Sequence, residues 1–357
     1  MSETSKPGKS VLPWVLLASM VAAAVAVALC YYSWIILPVQ LSAASSQHLA
    51  AQIVGLSDIR IPHHLSPEFT DANGTLVADP PTDPAKLVDP DTLIFSYIAE
   101  DQTAQTPDEF KSLTDRLADA TGKKVAFNLD VTNTDDQLKA LHDGKLHITV
   151  FSTGAVPIAV NAAGFVPVGM LAGDSGYTKY QMLIIVPASS LMNNIADLKG
   201  HELALTEPNS NSGYKAPIVL LQNECGLVFE RDYNTRDTQS YENSIRGISK
   251  GQYEAAAVAS DVLDRFVADG VIKKSDYRVI YTSSDFPRAA IGYVYNLNPD
   301  LAAKIKATLL SFDFKGTALE TEFARYNVVR FAPVNYVNDW ALVRLIDDTI
   351  AGPQEIK

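Results

Sequence analysis

The chain has 357 residues, 47% hydrophobic and 20% charged, with a net charge of −12 and 9% aromatic residues, enough for packed cores. That acidic balance excludes a nucleic-acid partner, since neutralising a phosphate backbone requires clustered Lys and Arg. Cys30, Cys225 and the six histidines fall in no zinc or iron–sulfur spacing, so no metal and no other cofactor is expected.

In chain order, residues 1–10 form a short tail containing Lys6 and Lys9, and residues 11–37 carry no charge at all. A run of that length exceeds the roughly 20 apolar residues that span a bilayer. The preceding lysines place the tail in the cytoplasm and the remainder outside. Trp14, Tyr31, Tyr32 and Trp34 stand near the ends of the run, as an aromatic belt would. The apolar stretch is too long for an ordinary signal-peptide core, so an uncleaved anchor is expected. Ser42-Ala43-Ala44 marks the alternative, a cleavage site.

Residues 38–90 contain Pro62, Pro67, Pro80, Pro81, Pro84 and Pro90, too many for long regular elements. A short helix around 43–56 and then a stalk, or a strap lying on the domain, are expected there. From Thr92 onward strands and helices alternate. Strands are expected at 92–98, 124–131, 146–151, 165–172, 180–187, 202–206, 253–258, 277–281 and 290–296. Helices are expected at 107–122, 135–144, 154–164, 193–199, 213–225, 241–250, 260–269 and 299–311. This rhythm implies parallel sheets covered on both faces. It is too long for one core, so two α/β lobes are expected, 91–182 with 287–350 and 183–286. A two-strand hinge would cross near 180–186 and 285–296.

The segment ELALTEPNSNSGYKAP (202–217) runs from a strand through a polar turn into a helix opening at Gly213. The first N–H groups of a helix lack internal acceptors, and its dipole adds partial positive charge. Ser210 and Ser212 can add hydroxyls, and Gly213 permits close approach, so the turn can seat an anion as well as cap its own helix. Phe151-Ser152-Thr153-Gly154 and Gln239-Ser240-Tyr241-Glu242 repeat the device. In open α/β sheets such turns meet in the crevice beyond the strand ends. No nucleophile elbow, Ser/His/Asp order, P-loop or paired carboxylates accompany them, so binding without catalysis is expected.

With strand TLIFSYI (92–98), Asp197-Leu198-Lys199-Gly200, PNSNSGYKAP, SYENSIRGISKGQYEAAAV, SDVL and the Pro turn at Phe286-Pro287 in this order, residues 92–312 resemble the phosphate/phosphite/phosphonate-binding proteins of ABC transporters. The resemblance implies a type II periplasmic-binding-protein fold behind the N-terminal transmembrane helix. It also implies capture of a small oxyanion outside the cytoplasm by a monomer, and delivery to an ABC transporter permease.

Carried over by residue, Ser210, Asn211, Ser212 and the Gly213 N–H would hold phosphoryl oxygens, and Tyr241 would stand where the family's phosphonate binder has a His. Thr134 and Phe151 would stand in place of two tyrosines, and Thr153 would assist. Asp261 would occupy the place of a carboxylate that meets an amine, or else serve only as an acid at the start of helix 260–269. A second acid expected near the Pro turn is replaced by Pro287-Arg288-Ala289-Ala290, and Arg288 is read as a solvated surface residue. Tyr214 is read as packing. The alternative functions are a tethered ligand sensor for a signalling partner and, behind it, an enzyme on the same fold.

Overall fold

The computed structural model describes residues 64–98, 107–174, 176–177, 179–324 and 327–351. The apolar run 11–37 and the helix expected at 43–56 lie outside these residues. Among the described residues no helix is long and apolar enough to cross a membrane.

Residues 64–91 are a strap laid on the first lobe. The Ser66 N–H donates to the Asn161 carbonyl, Val88 bridges to Leu297, and the Phe69 ring packs edge-on against Tyr295 at 4.7 Å. The strap is punctuated by prolines and holds only a 3-10 turn at Pro84–Lys86.

The first lobe is built on a seven-stranded sheet. Strand β1 (Thr92–Tyr97) pairs in parallel with β2 (Lys124–Phe127) and β3 (Ile148–Phe151). Helix α1 (Lys111–Thr121) lies between β1 and β2, stopped by Gly122 in the left-handed conformation. Its Leu113 and Leu117 are fully buried one turn apart, the apolar stripe expected of a helix lying on a sheet. Helix α2 (Thr134–His142) and the apolar α3 (Val156–Ala163) flank β3. Strand β4 (Phe165–Gly173) carries the short β5 (Gly176–Tyr177) at its end.

The second lobe has a five-stranded sheet in the order β10-β6-β9-β7-β8. Its strands are β6 (Tyr180–Pro187), β7 (Glu202–Leu205), β8 (Asn234–Asp237), β9 (Ala255–Ala259) and β10 (Tyr277–Phe286). Helices α4 (Ala216–Cys225), α5 (Tyr241–Ser249) and α6 (Ser260–Ala268) connect them. Central β9, AAAVA, is buried at every position, as a strand covered on both faces must be. The chain then returns to the first lobe as β11 (Ala290–Val294) and α7 (Pro299–Ser311). It ends with α8 (Ala318–Ala324), β12 (Arg330–Pro333), α9 (Tyr336–Asp339) and α10 (Ala341–Ala351).

Both sheets are mixed, which corrects the parallel expectation. β4, β11 and β12 run antiparallel to their neighbours in the first lobe, and β6 and β10 do so in the second. The reason is connectivity: a chain crossing between lobes and back must bring one strand out and another in, side by side. The 193–199 helix is only a 3-10 turn, Ile195–Leu198, held by reciprocal Asn194 and Asp197 caps. β2 is shorter than read and β10 longer. β8, with sequence NTRD, was not expected as a strand, and neither were the elements after α7.

Candidate functional site

Strand β7 delivers the chain to Thr206, and the turn Glu207–Ser210 follows. The helix then opens at Asn211, two residues earlier than read, and its first five residues, Asn211–Lys215, form a π-helical turn before α4. The turn is pinned by Thr206 N–H donating to the Gly213 carbonyl at 2.9 Å and by Gly213 N–H donating to Ser210 Oγ at 3.2 Å. A side chain at Gly213 would meet Thr206 Oγ1 at 2.0 Å, so only glycine fits. π-helical turns of this kind recur at functional sites.

Ser210, Asn211 and Ser212 are all buried. Tyr241, the first residue of α5, brings its phenol to within 2.8 Å of Ser210 Oγ and 2.6 Å of Ser212 Oγ. The starts of two helices thus present a cluster of hydroxyls. Asn211 Nδ2 donates to Tyr180 Oη at 3.1 Å, while Asn211 Oδ1 and the neighbouring Thr206 Oγ1 are buried with no hydrogen-bond partner among the described residues. Buried polar atoms in that state are uncommon in native folds and usually answer to a ligand, water or strain.

The first lobe closes over this turn. A side chain at Gly154 would meet Asn209 O at 2.4 Å and Asn211 N at 2.7 Å, so the 152–154 turn touches the 209–211 turn backbone to backbone. Lys215 Nζ donates to Gly154 O at 2.8 Å and to Asp347 Oδ1 of α10 at 2.9 Å. Trp340 Nε1 donates to Thr153 O at 3.0 Å, and Thr153 Oγ1 donates to Pro287 O, on the return crossing, at 2.7 Å. All three turns singled out in the sequence therefore touch: the 152–154 turn packs on the 209–211 turn, and Tyr241 bonds Ser210 and Ser212.

The remaining candidates divide. Thr134 is the half-buried first residue of α2, behind its cap Asn133. Phe151 is fully buried in the first lobe's core, its ring 4.9 Å from Phe165. The Thr153 hydroxyl is committed to Pro287, and the Gly213 N–H to Ser210. Asp261, at the start of α6, pairs with Arg288 at 3.3 Å. Burial pushes its carboxyl pKa up, against the pull of the guanidinium. Arg288 is buried and not solvated, because the crossing folds it back onto α6. Tyr214 is buried, and that burial pushes its phenol up to about 12. Lys215, Asp347 and Trp340 were missed. Lys215 sits inside the quoted motif, yet nothing local signals that a helix more than a hundred residues later supplies its counter-charge.

An open hollow of about 570 Å³ lies elsewhere on the second lobe, lined by Pro187, Leu191, His201, Tyr253 and Glu254. It faces the starts of β7 and β9, the opposite end of the strands from the helix N-termini, so it is not the crevice expected to hold ligand. Among the described residues no group of His, Cys, Asp and Glu is placed to hold a metal.

Three solved structures share the fold. A Xanthomonas citri protein bound to ATP is 16% identical, with TM-score 0.60 over 73% of this chain and 98% of its own. PhnD1 from Prochlorococcus marinus in complex with methylphosphonate is 15% identical, with TM-score 0.59 over 73% and 99%. A binding protein component of an ABC phosphonate transporter from Pseudomonas aeruginosa is 17% identical, with TM-score 0.55 over 73% and 95%. At such identities the likeness is one of fold. The sequence model of the phosphonate ABC transporter periplasmic substrate-binding proteins matches residues 95–340, most of the chain. The chain belongs to that family of substrate-binding proteins.

Proposed function

We propose that the chain captures a small phosphate-like oxyanion (phosphate, phosphite or a phosphonate) between its lobes and hands it to an ABC transporter permease. The observation that carries this reading is the cluster of Ser210, Ser212 and Tyr241 hydroxyls at two helix starts, beside a glycine that lets Thr206 pack onto the turn. Hydrogen bonds to a charged group contribute about 1.5–3 kcal/mol each. A few of them, less the ordering cost, reach the roughly 8 kcal/mol of a micromolar site. The binding set proposed is Ser210, Asn211, Ser212, Gly213 and Tyr241, with Thr134 at the rim. Phe151 and Thr153 act as wall and support.

In the same reading residues 11–37 anchor a monomer in the membrane with residues 91–182, 287–350 and 183–286 as its extracytoplasmic lobes. The uncharged run and its preceding lysines support that placement.

The test is thermal unfolding of the chain with phosphate, phosphite and methylphosphonate. At a hundred times Kd a ligand stabilises by about 2.7 kcal/mol. Ser210→Ala with Ser212→Ala should abolish the rise in Tm. A rise of the same size in that double variant would overturn the placement of the site.

A further inference from the structure

Asn211 stands between Ser210 and Ser212 in the proposed seat, and its amide is only half used. Nδ2 donates to Tyr180 Oη at 3.1 Å. Oδ1, on a residue only 3% exposed, has no hydrogen-bond partner among the described residues. That oxygen is an acceptor and nothing else, so whatever satisfies it must bring a hydrogen. Left unmet in a buried site, it costs its full desolvation. The rest of the seat has the opposite chemistry: the hydroxyls of Ser210, Ser212 and Tyr241, clustered at 2.8 and 2.6 Å about the phenol, can each donate to an oxygen of a guest.

The surroundings are poor in positive charge. Strands β6 and β9 and helices α4 and α10 pack on the π-helical turn. β6, β9 and α4 contain no basic residue, and the ionisable group of β6 is the Tyr180 phenol. Lys215, in the turn itself, is met by Asp347 and the Gly154 carbonyl. Arg344 of α10 donates to the carbonyls of Tyr336 and Val337, and Arg246 of α5 is paired with Glu242. Asp135 of α2, 3.5 Å from Asn209 Nδ2, adds a carboxylate beside the turn. A second negative charge on the guest would thus be desolvated with no counter-ion to offset it.

We propose that the seat selects the singly ionised, still protonated form of its oxyanion. Asn211 Oδ1 accepts the P–OH hydrogen, while the three hydroxyls donate to the ionised oxygens. The guest class is then a hydrogen phosphonate, hydrogen phosphite or dihydrogen phosphate, and an oxyanion with no proton to give, such as sulfate, is rejected. This rests on the phosphonate-type reading above, which puts Asn211 in the binding set. Tyr180 is a positioning residue: its Oη takes the Nδ2 hydrogen and leaves Oδ1 for the guest.

The test is calorimetry on the full chain with methylphosphonate and with sulfate, across the second ionisation of methylphosphonate and in buffers of different ionisation heat. Above that ionisation the wild type should lose affinity about tenfold per pH unit and take up about one proton with each ligand. Sulfate should bind at least about tenfold more weakly than methylphosphonate does below it. Tyr180→Phe frees the Asn211 amide to turn its NH2 toward the guest, so the loss of affinity per pH unit should shrink. Should that variant not fold, the proton uptake of the wild type decides alone. Affinity flat across the ionisation, with no proton uptake, would overturn the proposal and leave the phosphonate reading standing. Sulfate bound as tightly would do the same, and an unchanged slope in Tyr180→Phe would overturn the role given to Asn211. Binding of neither ligand at any pH would overturn both readings.

Discussion

The Lys215 ammonium donates to the Gly154 carbonyl at 2.8 Å, bonding a side chain of the second lobe to the backbone of the first. Its counter-charge, Asp347, arrives from a third direction on α10, which packs against α3, α4 and the π-helical turn. With side chains 3% and 4% exposed, the pair is removed from water. Breaking such a pair by deleting one partner costs about 3–5 kcal/mol, whereas replacing both with apolar groups is often neutral. Lys215→Met should therefore lower stability by about that amount and widen the small-angle scattering profile as the lobes part. Lys215→Met with Asp347→Leu should recover the stability but not the closed profile. A single variant as compact and stable as the wild type would show that the bond does not hold the lobes together.

Gly154 permits a separate test of lobe contact. Its missing side chain leaves the backbone of the 209–211 turn room to approach, and backbone atoms cannot swing aside as a flexible side chain would. Gly154→Ala should wedge the lobes apart. Ligand affinity should fall at least about tenfold, while the first lobe keeps its fold by circular dichroism. Unchanged affinity would mean that the two turns do not meet when ligand is bound.

His147 sets a pH dependence in the first lobe. Its buried Nδ1 accepts the Ile94 N–H at 2.9 Å, which requires the neutral ring, and burial lowers its pKa from 6.5. Below 6.5 the unfolded chain binds the proton more readily than the folded one. The stability tied to this group is thus complete above that pH and declines as the pH falls below it. Urea unfolding at pH 7.5 and 5 should show the loss. His147→Gln, which can still accept from Ile94, should lessen it, and an identical decline in that variant would assign the effect elsewhere.

Asp232 acts lower on the scale. Arg231 above all, with the Val228 N–H and Lys199, holds its carboxyl at about 2, against an ordinary 3.8. A depressed carboxyl stabilises the fold above its unfolded value and loses that contribution as the pH drops toward its folded value. The stability gap between wild type and Asp232→Asn should be full at pH 6 and shrink between pH 3.8 and about 2. A gap constant across that window would show that the carboxylate charge contributes nothing.

The sequence announces what local chemistry decides. Gly122 and Gly226 end their helices close to the expected bounds, because a left-handed glycine after a helical run is a local signal. The Ser-Asn-Ser-Gly turn, the α5 start and the 152–154 turn are legible for the same reason, and they lie in contact with one another. Contacts decided by distant parts of the chain stay hidden. Phe151 is read in place of a tyrosine, and it is buried in a strand, β3, that is buried at every position. Arg288 reads as solvated until the crossing folds it onto α6. β8 reads as a loop because NTRD has no apolar alternation, and it becomes a strand only by pairing with the edge of β7.

The position of α10 bears on how the protein is made. Asp347 follows Lys215 by 132 residues, and Trp340 follows Thr153 by 187. A polypeptide emerging N-terminus first therefore makes the lysine of the second lobe and the turn of the first well before it supplies the acid that joins the lobes and the indole that holds the first-lobe turn. Until those residues arrive, the nascent lysine lacks this carboxylate, so closure of the two lobes through it waits until translation has passed residue 347.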